Sequence, residues 1–374
     1  MESYRKYFPV LENHVYLAAC SHSPLWDGIE RSMEKYRNDL YEFGNPWDLW
    51  VEQMEYSKGL FASLIGAKKN EVAIHYSVSS ALTALLSGMK YEDRNEILVS
   101  DMEYPTTNFI FLAQERLGAR TRTIKNKNHK IELEQYEKNI SDKTKMVSAI
   151  HVASMNGFKQ NIREISKIVH NSGSLLYVDV YQSLGTTPVD VRRDEIDFLS
   201  SGTLKWLLGV PGVAYLYVKE DLIQNLEPTN IGWFSQKNPF LFGAEKLDYS
   251  DNADRFQSGT WSVPAVYSAI EGMELIKKIG SENINSKIRD LTNFALDYAN
   301  TKGLSSISPE DSNERGAIVS FLIKDPHGVE NKLRKMGIIT SSRDIGLRIA
   351  PHFYNTKQEI EVAIDHISSL AQGK

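Results

Sequence analysis

The chain has 374 residues, 41% apolar and 24% charged, with a formal net charge of −5. That length exceeds one typical core, and a mildly acidic balance is not built to hold nucleic acid or an anionic membrane. One cysteine, nine histidines without a His-x-x-x-His pair, and no apolar run near the roughly 20 residues of a bilayer span exclude an intramolecular disulfide, a cysteine-based metal cluster and a membrane span.

The N-terminus carries no apolar secretory core, so a cytoplasmic protein without a structural metal is expected. In chain order, apolar runs read as strands at 71–76, 96–100, 119–124, 145–151, 174–179, 196–200 and 213–218. Amphipathic stretches separate several of them. In 161–170, Ile162, Ile165, Ile168 and Val169 keep helical spacing. Seven strands with intervening helices predict an α/β fold whose mostly parallel sheet is covered on both faces. The lysine-rich stretch 125–130 reads as solvated loop.

Past residue 262 the pattern changes. Two long helices, 263–279 and 282–301, precede a strand at 317–323, a helix at 328–336, a strand at 347–350 and a closing helix from Lys357. This order predicts a smaller α+β domain over 262–374 and a large cofactor-binding domain over 26–261. The segment 1–25 is expected to pack with the smaller domain.

One constellation carries chemistry. Asp179 closes the strand 174–179, Gln182 follows it, and Lys205 comes just beyond the next strand. In open α/β sheets that edge is where ligands bind. A fixed acid and a lysine there suit pyridoxal 5′-phosphate. The lysine forms a Schiff base, the acid keeps the pyridine nitrogen protonated, and the ring becomes an electron sink.

The remaining parts each have a candidate. Ser77-Val78-Ser79 lies between a strand and a helical run, where a helix N-terminus favours phosphate; plain N-capping is the competing use. Tyr104, held by Pro105, is placed to stack on the ring or else to cover the core. Ser154 ends another strand, as a hydrogen-bonding group at the same edge or as a turn serine.

These segments resemble the class V aminotransferase group of fold type I pyridoxal phosphate enzymes, which includes cysteine desulfurases, kynureninases and isopenicillin epimerases. The likeness runs from about Tyr16 to Ile367. It is most specific at Val178-Asp-Val-Tyr-Gln-Ser-Leu-Gly, Ser201-Gly-Thr-Leu-Lys-Trp-Leu-Leu-Gly, Arg255-Phe-Gln-Ser-Gly-Thr and Leu347-Arg-Ile-Ala-Pro-His-Phe-Tyr-Asn-Thr. The resemblance implies that Lys205 is the Schiff-base lysine, Asp179 the pyridinium partner and Gln182 a contact of the phenolic oxygen. Val78 and Ser79 would hold phosphate, with Thr203 and, from a neighbouring subunit of a homodimer, Thr260. Arg348 falls where relatives bind the substrate α-carboxylate, a task suited to a planar guanidinium.

Departures from the group narrow the reaction. Leu204 replaces a histidine common before the lysine, and Tyr104 replaces a stacking histidine. Both lean toward kynureninases, as does Gly232-Trp233-Phe, whose tryptophan would lie by the phosphate. Trp261 stands where relatives often have proline. The loop 338–345, where desulfurases carry their nucleophile, has no cysteine, and that chemistry needs a thiolate. Cys20 lies in a segment that relatives place by the substrate; a buried small thiol is the favoured reading, a substrate-facing Cys20 or His22 the other. An aminotransferase acting on an amino-acid or keto-acid substrate is expected. A kynureninase-like hydrolase, a carbon–sulfur lyase and a non-catalytic cofactor-binding homologue are the alternatives.

Overall fold

The computed structural model describes residues 1–243 and 245–372. Its strands are β1 (Val15–Tyr16), β2 (Val72–His75), β3 (Glu96–Ser100), β4 (Arg120–Ile124), β5 (Thr144–Ile150) and β6 (Leu175–Asp179). They continue with β7 (Phe198–Gly202), β8 (Ala214–Val218), β9 (Val319–Leu322), β10 (Ile338–Ile339), β11 (Ser341–Arg343) and β12 (Gly346–Ile349). The seven expected strands form one sheet in the order β2-β8-β7-β6-β5-β3-β4. Only β8 opposes its neighbours; the other pairs are parallel.

Period-two alternation sorts the buried side chains onto two faces. Val147, Leu176, Val178, Leu199, Tyr215 and Tyr217 join one core with Phe61 and Ile65 of the helix Trp47–Ile65 and Ile162 and Ile165 of the helix Ile162–Asn171. Met146, Tyr177, Phe198, Leu216 and Val218 face the other way, against Leu82 and Leu85 of the helix Val78–Leu86 and Phe111 of the helix Pro105–Ala113. Covering both faces is what a parallel sheet requires. The edge strand β4 instead exposes Arg120 and Arg122, which pair with Glu96 at 3.5 and 3.0 Å. A charged edge discourages pairing with another sheet.

The C-terminal part builds a third core. The helices Ser281–Thr301 and Lys357–Ala371 pack with β9 and β12 through Leu291, Leu296, Phe321, Leu347, Ile360 and Ile364. Leu17 joins that core, and β1 pairs with β10 in parallel. The N-terminal segment is thereby tied to the C-terminal layer. The antiparallel hairpin β11–β12, completed by β9, presents Ser341 opposite Arg348 and Arg343 opposite Gly346. Two helices carried no clear signal in the sequence, Asp27–Phe43 and Trp47–Ile65. Neither is opened by a side-chain cap: Trp26 and Pro46 stand at their N-caps without a capping bond. Among the described residues no helix is long and apolar enough to cross a membrane.

Candidate active site

Five strand ends meet at one edge of the large sheet. β3, β5, β6 and β7 run parallel, and β2 shares their direction because both it and β7 oppose β8. Their carboxyl ends release Ser77, Glu103, Ser154, Asp179 and the 203–213 loop on one side, the ligand edge of an open α/β sheet. There they enclose a cavity of about 380 Å³, to whose wall Val78, Ser79, Tyr104, Ser154, Asp179, Gln182 and Lys205 all contribute.

The floor is fixed by buried polar groups. Asp179 is only 4% exposed, and its Oδ1 accepts the Tyr181 N–H at 2.8 Å. Burial raises its pKa, while that N–H and the nearby Lys205 hold it down. Gln182 accepts the Trp206 indole N–H at 3.0 Å, which orients its amide, and donates to the Cys20 carbonyl at 3.0 Å. An amide nitrogen has two hydrogens, so one N–H remains for the cavity. Trp206 is positioned in turn by His352, whose Nδ1 accepts the Phe353 N–H and leaves Nε2 to donate to the Trp206 carbonyl at 3.1 Å.

Lys205 sits in the loop joining β7 to β8, and Leu208 there takes a left-handed φ of 59°. Such a conformation costs a leucine energy that the surrounding structure must supply. The Lys205 Nζ lies 4.3 Å from the Tyr181 ring centroid and 5.7 Å from that of Tyr104. Burial pulls its pKa down to about 8, with Arg348 and Arg343 adding to the shift and Asp179 opposing it. The amine is therefore roughly one-tenth neutral at pH 7, far more than an ordinary lysine.

The helix Val78–Leu86 aims its first turn at the cavity. Ser77 caps it by accepting the Ser80 N–H at 3.1 Å, and Ser80 returns a bond to Ser77. The N-capping reading of Ser77 is thus realised in the structure, while the helix end itself still favours an anion. Tyr104 stands at the N-cap of the helix Pro105–Ala113 and is 37% exposed at the cavity rim. Arg348 is 1% exposed and donates to the Ser341 carbonyl at 3.2 Å, the Ser154 carbonyl at 2.6 Å and the Ser341 hydroxyl at 2.6 Å. Among the described residues it has no carboxylate partner.

Three residues expected at the cofactor are not brought to this cavity within the subunit. Thr203 is fully buried, and its hydroxyl turns to the Val210 carbonyl at 3.4 Å. Trp233 belongs to an aromatic cluster, 5.6 Å from Trp47 and stacked 5.9 Å from Phe242. Thr260 is exposed, and its carbonyl accepts the Tyr76 hydroxyl at 2.7 Å beside the rim. Cys20 is both buried and part of the cavity wall, whereas His22 lies exposed and lines a separate depression with Pro9 and Tyr16.

Other residues of the site carried no sequence signal. Glu103 lies just before Tyr104, 5% exposed, with Oε1 accepting the Ile150 N–H at 2.9 Å and Oε2 unpartnered among the described residues. Burial, then the adjacent Asp179, push its pKa up to about 8, so this carboxyl is largely protonated at neutral pH. Arg343, at the end of β11, reaches the wall and places its guanidinium carbon 5.6 Å from the Tyr104 ring centroid. Tyr181, inside the Asp179–Gln182 motif, was readable by position alone.

Comparisons with known proteins agree with this architecture. The family model for aminotransferase class V matches residues 38–363. The Bacillus subtilis (strain 168) protein named uncharacterized aminotransferase YcbU is 36% identical over 370 residues, covering 98% of this chain and 97% of its own. Among solved structures, the apo cysteine desulfurase from Thermococcus onnurineus NA1 superposes with a TM-score of 0.89 at 21% identity, covering 100% of this chain and 98% of its own. The cystine C–S lyase C-DES, solved with its product cysteine persulfide, also reaches 0.89 at 21% identity, covering 96% of this chain and 99% of its own. The last two establish the fold. With most of its length matched by the family model, the chain belongs to the aminotransferase class V family of pyridoxal phosphate enzymes.

Proposed function

We propose that this enzyme is an aminotransferase that takes a free amino acid at the edge formed by β6 and the β7–β8 loop. The observation that carries the reading is a buried acid and a partly neutral lysine sharing one cavity, with Arg348, free of any carboxylate partner among the described residues, close behind. The donor set matches the cofactor part by part. Asp179 supplies a carboxylate for a pyridinium, Lys205 an amine for an aldehyde, the helix Val78–Leu86 an N-terminus for a phosphate, and Gln182 a spare N–H for the phenolic oxygen. Bound there, pyridoxal phosphate supplies an electron sink for negative charge developing at the substrate Cα.

The protein's own groups do the rest. Asp179, facing a cation at close range, stays ionised and holds a proton on the ring nitrogen. Val78 and Ser79 offer backbone N–H groups to the phosphate, and Ser154 offers a polar group at the same edge. Tyr104 stacks over the ring, with Tyr181 on the Lys205 side of the cavity. Lys205 would anchor the cofactor and could move a proton at the substrate Cα; a pKa near the working pH suits that task. Arg348 keeps unused N–H donors for the substrate α-carboxylate. Trp233 and Thr260 enter in a homodimer, where the exposed Thr260 and the 233–242 aromatic cluster reach the partner's phosphate site, while Thr203 stays beneath its own subunit's phosphate end.

A carbon–sulfur lyase is the second reading, favoured by the shared fold with C-DES. A kynureninase-like hydrolase is favoured by Tyr104 at the ring. Incubating the loaded enzyme with an amino acid and pyruvate or 2-oxoglutarate distinguishes them. Transamination yields the donor's keto acid together with alanine or glutamate. Release of ammonia and pyruvate, or of sulfide, without amino transfer would replace the aminotransferase reading with a lyase.

A further inference from the structure

Arg343 on the cavity wall and Arg348 buried behind Ser154 together suit a dianion. Arg343 and Arg348 stand on one face of the β11–β12 hairpin. Arg348 pairs with Ser341, two residues from Arg343, and positions two apart on a strand share a face. Opposite Arg343 is Gly346, where a side chain would run into the Ser320 hydroxyl, so no bulky group stands between the two arginines on that face. Diagonal neighbours of this kind lie roughly 7–8 Å apart, with their Cβ atoms somewhat closer.

The two cations occupy different depths. Arg348 is buried behind Ser154, while Arg343 is exposed at the rim over Tyr104. Among the described residues neither has a carboxylate partner. The one acid in the cavity wall is Asp179, which lies on the floor by Lys205. Cationic charge at the mouth therefore exceeds what the protein itself neutralises. A substrate α-carboxylate answers Arg348 and a cofactor phosphate answers the helix N-terminus, which leaves Arg343 for a further anion.

We propose that Arg343 determines specificity by binding the side-chain carboxylate of an α-amino dicarboxylic acid, or of the corresponding 2-oxo dicarboxylic acid, while Arg348 takes its α-carboxylate. This rests on the reading proposed above, and it names the class of substrate for that same site. The hairpin sets the span between the carboxylates. The Tyr104 ring, 5.6 Å from the guanidinium carbon, supports the Arg343 side chain from one side.

The test is a binding titration of the pyridoxal phosphate-loaded protein, read as perturbation of cofactor absorbance, with L-aspartate, L-glutamate, L-asparagine and L-glutamine. The amides match the acids in size and remove one charge. Half-saturation by aspartate or glutamate is expected at about ten-fold lower concentration than by its amide. Arg343→Met should erase that preference, and Arg343→Lys should restore part of it. Equal half-saturation by acid and amide in the wild type overturns the inference and leaves the enzyme reading standing. So does an acid preference that survives Arg343→Met. If no amino acid perturbs the absorbance, the enzyme reading falls and the inference falls with it.

Discussion

The floor and the rim of the cavity are built on opposite principles. On the floor, Asp179, Gln182 and Glu103 are nearly excluded from water and fixed by bonds to Tyr181, Cys20, Trp206 and Ile150. At the rim, Tyr104 and Arg343 stand exposed on a helix start and a hairpin end, held chiefly by one ring contact. A buried polar group left unpaired costs far more than an exposed one, so the floor tolerates few changes. Chemistry common to a family belongs on such a floor, and choice of substrate belongs on a rim that varies cheaply.

Substitutions sharpen or break that contrast. The largest effect is expected on the floor at Lys205. Wild-type protein incubated with pyridoxal phosphate and reduced with borohydride should gain one cofactor mass on the peptide containing Lys205, and Lys205→Ala should gain none. An adduct of equal yield on the variant would remove Lys205 from its proposed role.

Glu103 comes next. Its carboxyl is shifted from an ordinary 4.5 to about 8 in the folded protein, by burial first and Asp179 second. Between those values the unfolded chain has released a proton that the folded chain still holds. Stability should therefore fall as pH rises from about 4.5 to about 8, by up to about 1.4 kcal/mol per pH unit from this group. Above that range the contribution is flat. Urea melts of cofactor-free protein across this window should show the slope, and Glu103→Gln should remove its share. A variant whose pH dependence matches the wild type would mean that Glu103 titrates normally.

The rim should respond least. Tyr104→Leu loses a stacked aromatic face worth about 0.5–1.5 kcal/mol, so cofactor dissociation measured by fluorescence should weaken roughly 2–10-fold while the Lys205 adduct still forms. A loss as complete as that of Lys205→Ala would erase the distinction between floor and rim.

The same contrast explains what the chain discloses before it folds. Asp179, Gln182 and Lys205 were legible because they close or closely follow two largely buried strands, and such strands announce themselves as short apolar runs. The seven-stranded sheet was legible for the same reason, with ends displaced by a residue or two; 196–200 became Phe198–Gly202. Arg343 left no trace, since an arginine at a hairpin end has the composition of any surface loop. Glu103 was equally silent, because what shifts its pKa is burial, and then a neighbour 76 positions along the chain, both of which only the fold supplies. Trp233 shows the opposite case. A family-like Gly-Trp-Phe segment pointed to the cofactor, yet within the subunit the ring is taken up by Trp47, Phe234 and Phe242.

The pairing of β1 with β10 has a consequence for synthesis on the ribosome. Val15 meets Ile338, and Ala18 bridges to Ala350, so the segment that carries Cys20 into the cavity wall is seated by residues made long after it. Domains form as the chain emerges, from the N-terminus onward, and contacts between distant positions come last. A nascent chain can thus have the large sheet complete, with Asp179 and Lys205 in place, while one side of the cavity still stands open. Closure of that side is then expected only once β10 and Ala350 have emerged, and a chain truncated before β10 would lack the partner that seats the Cys20 wall.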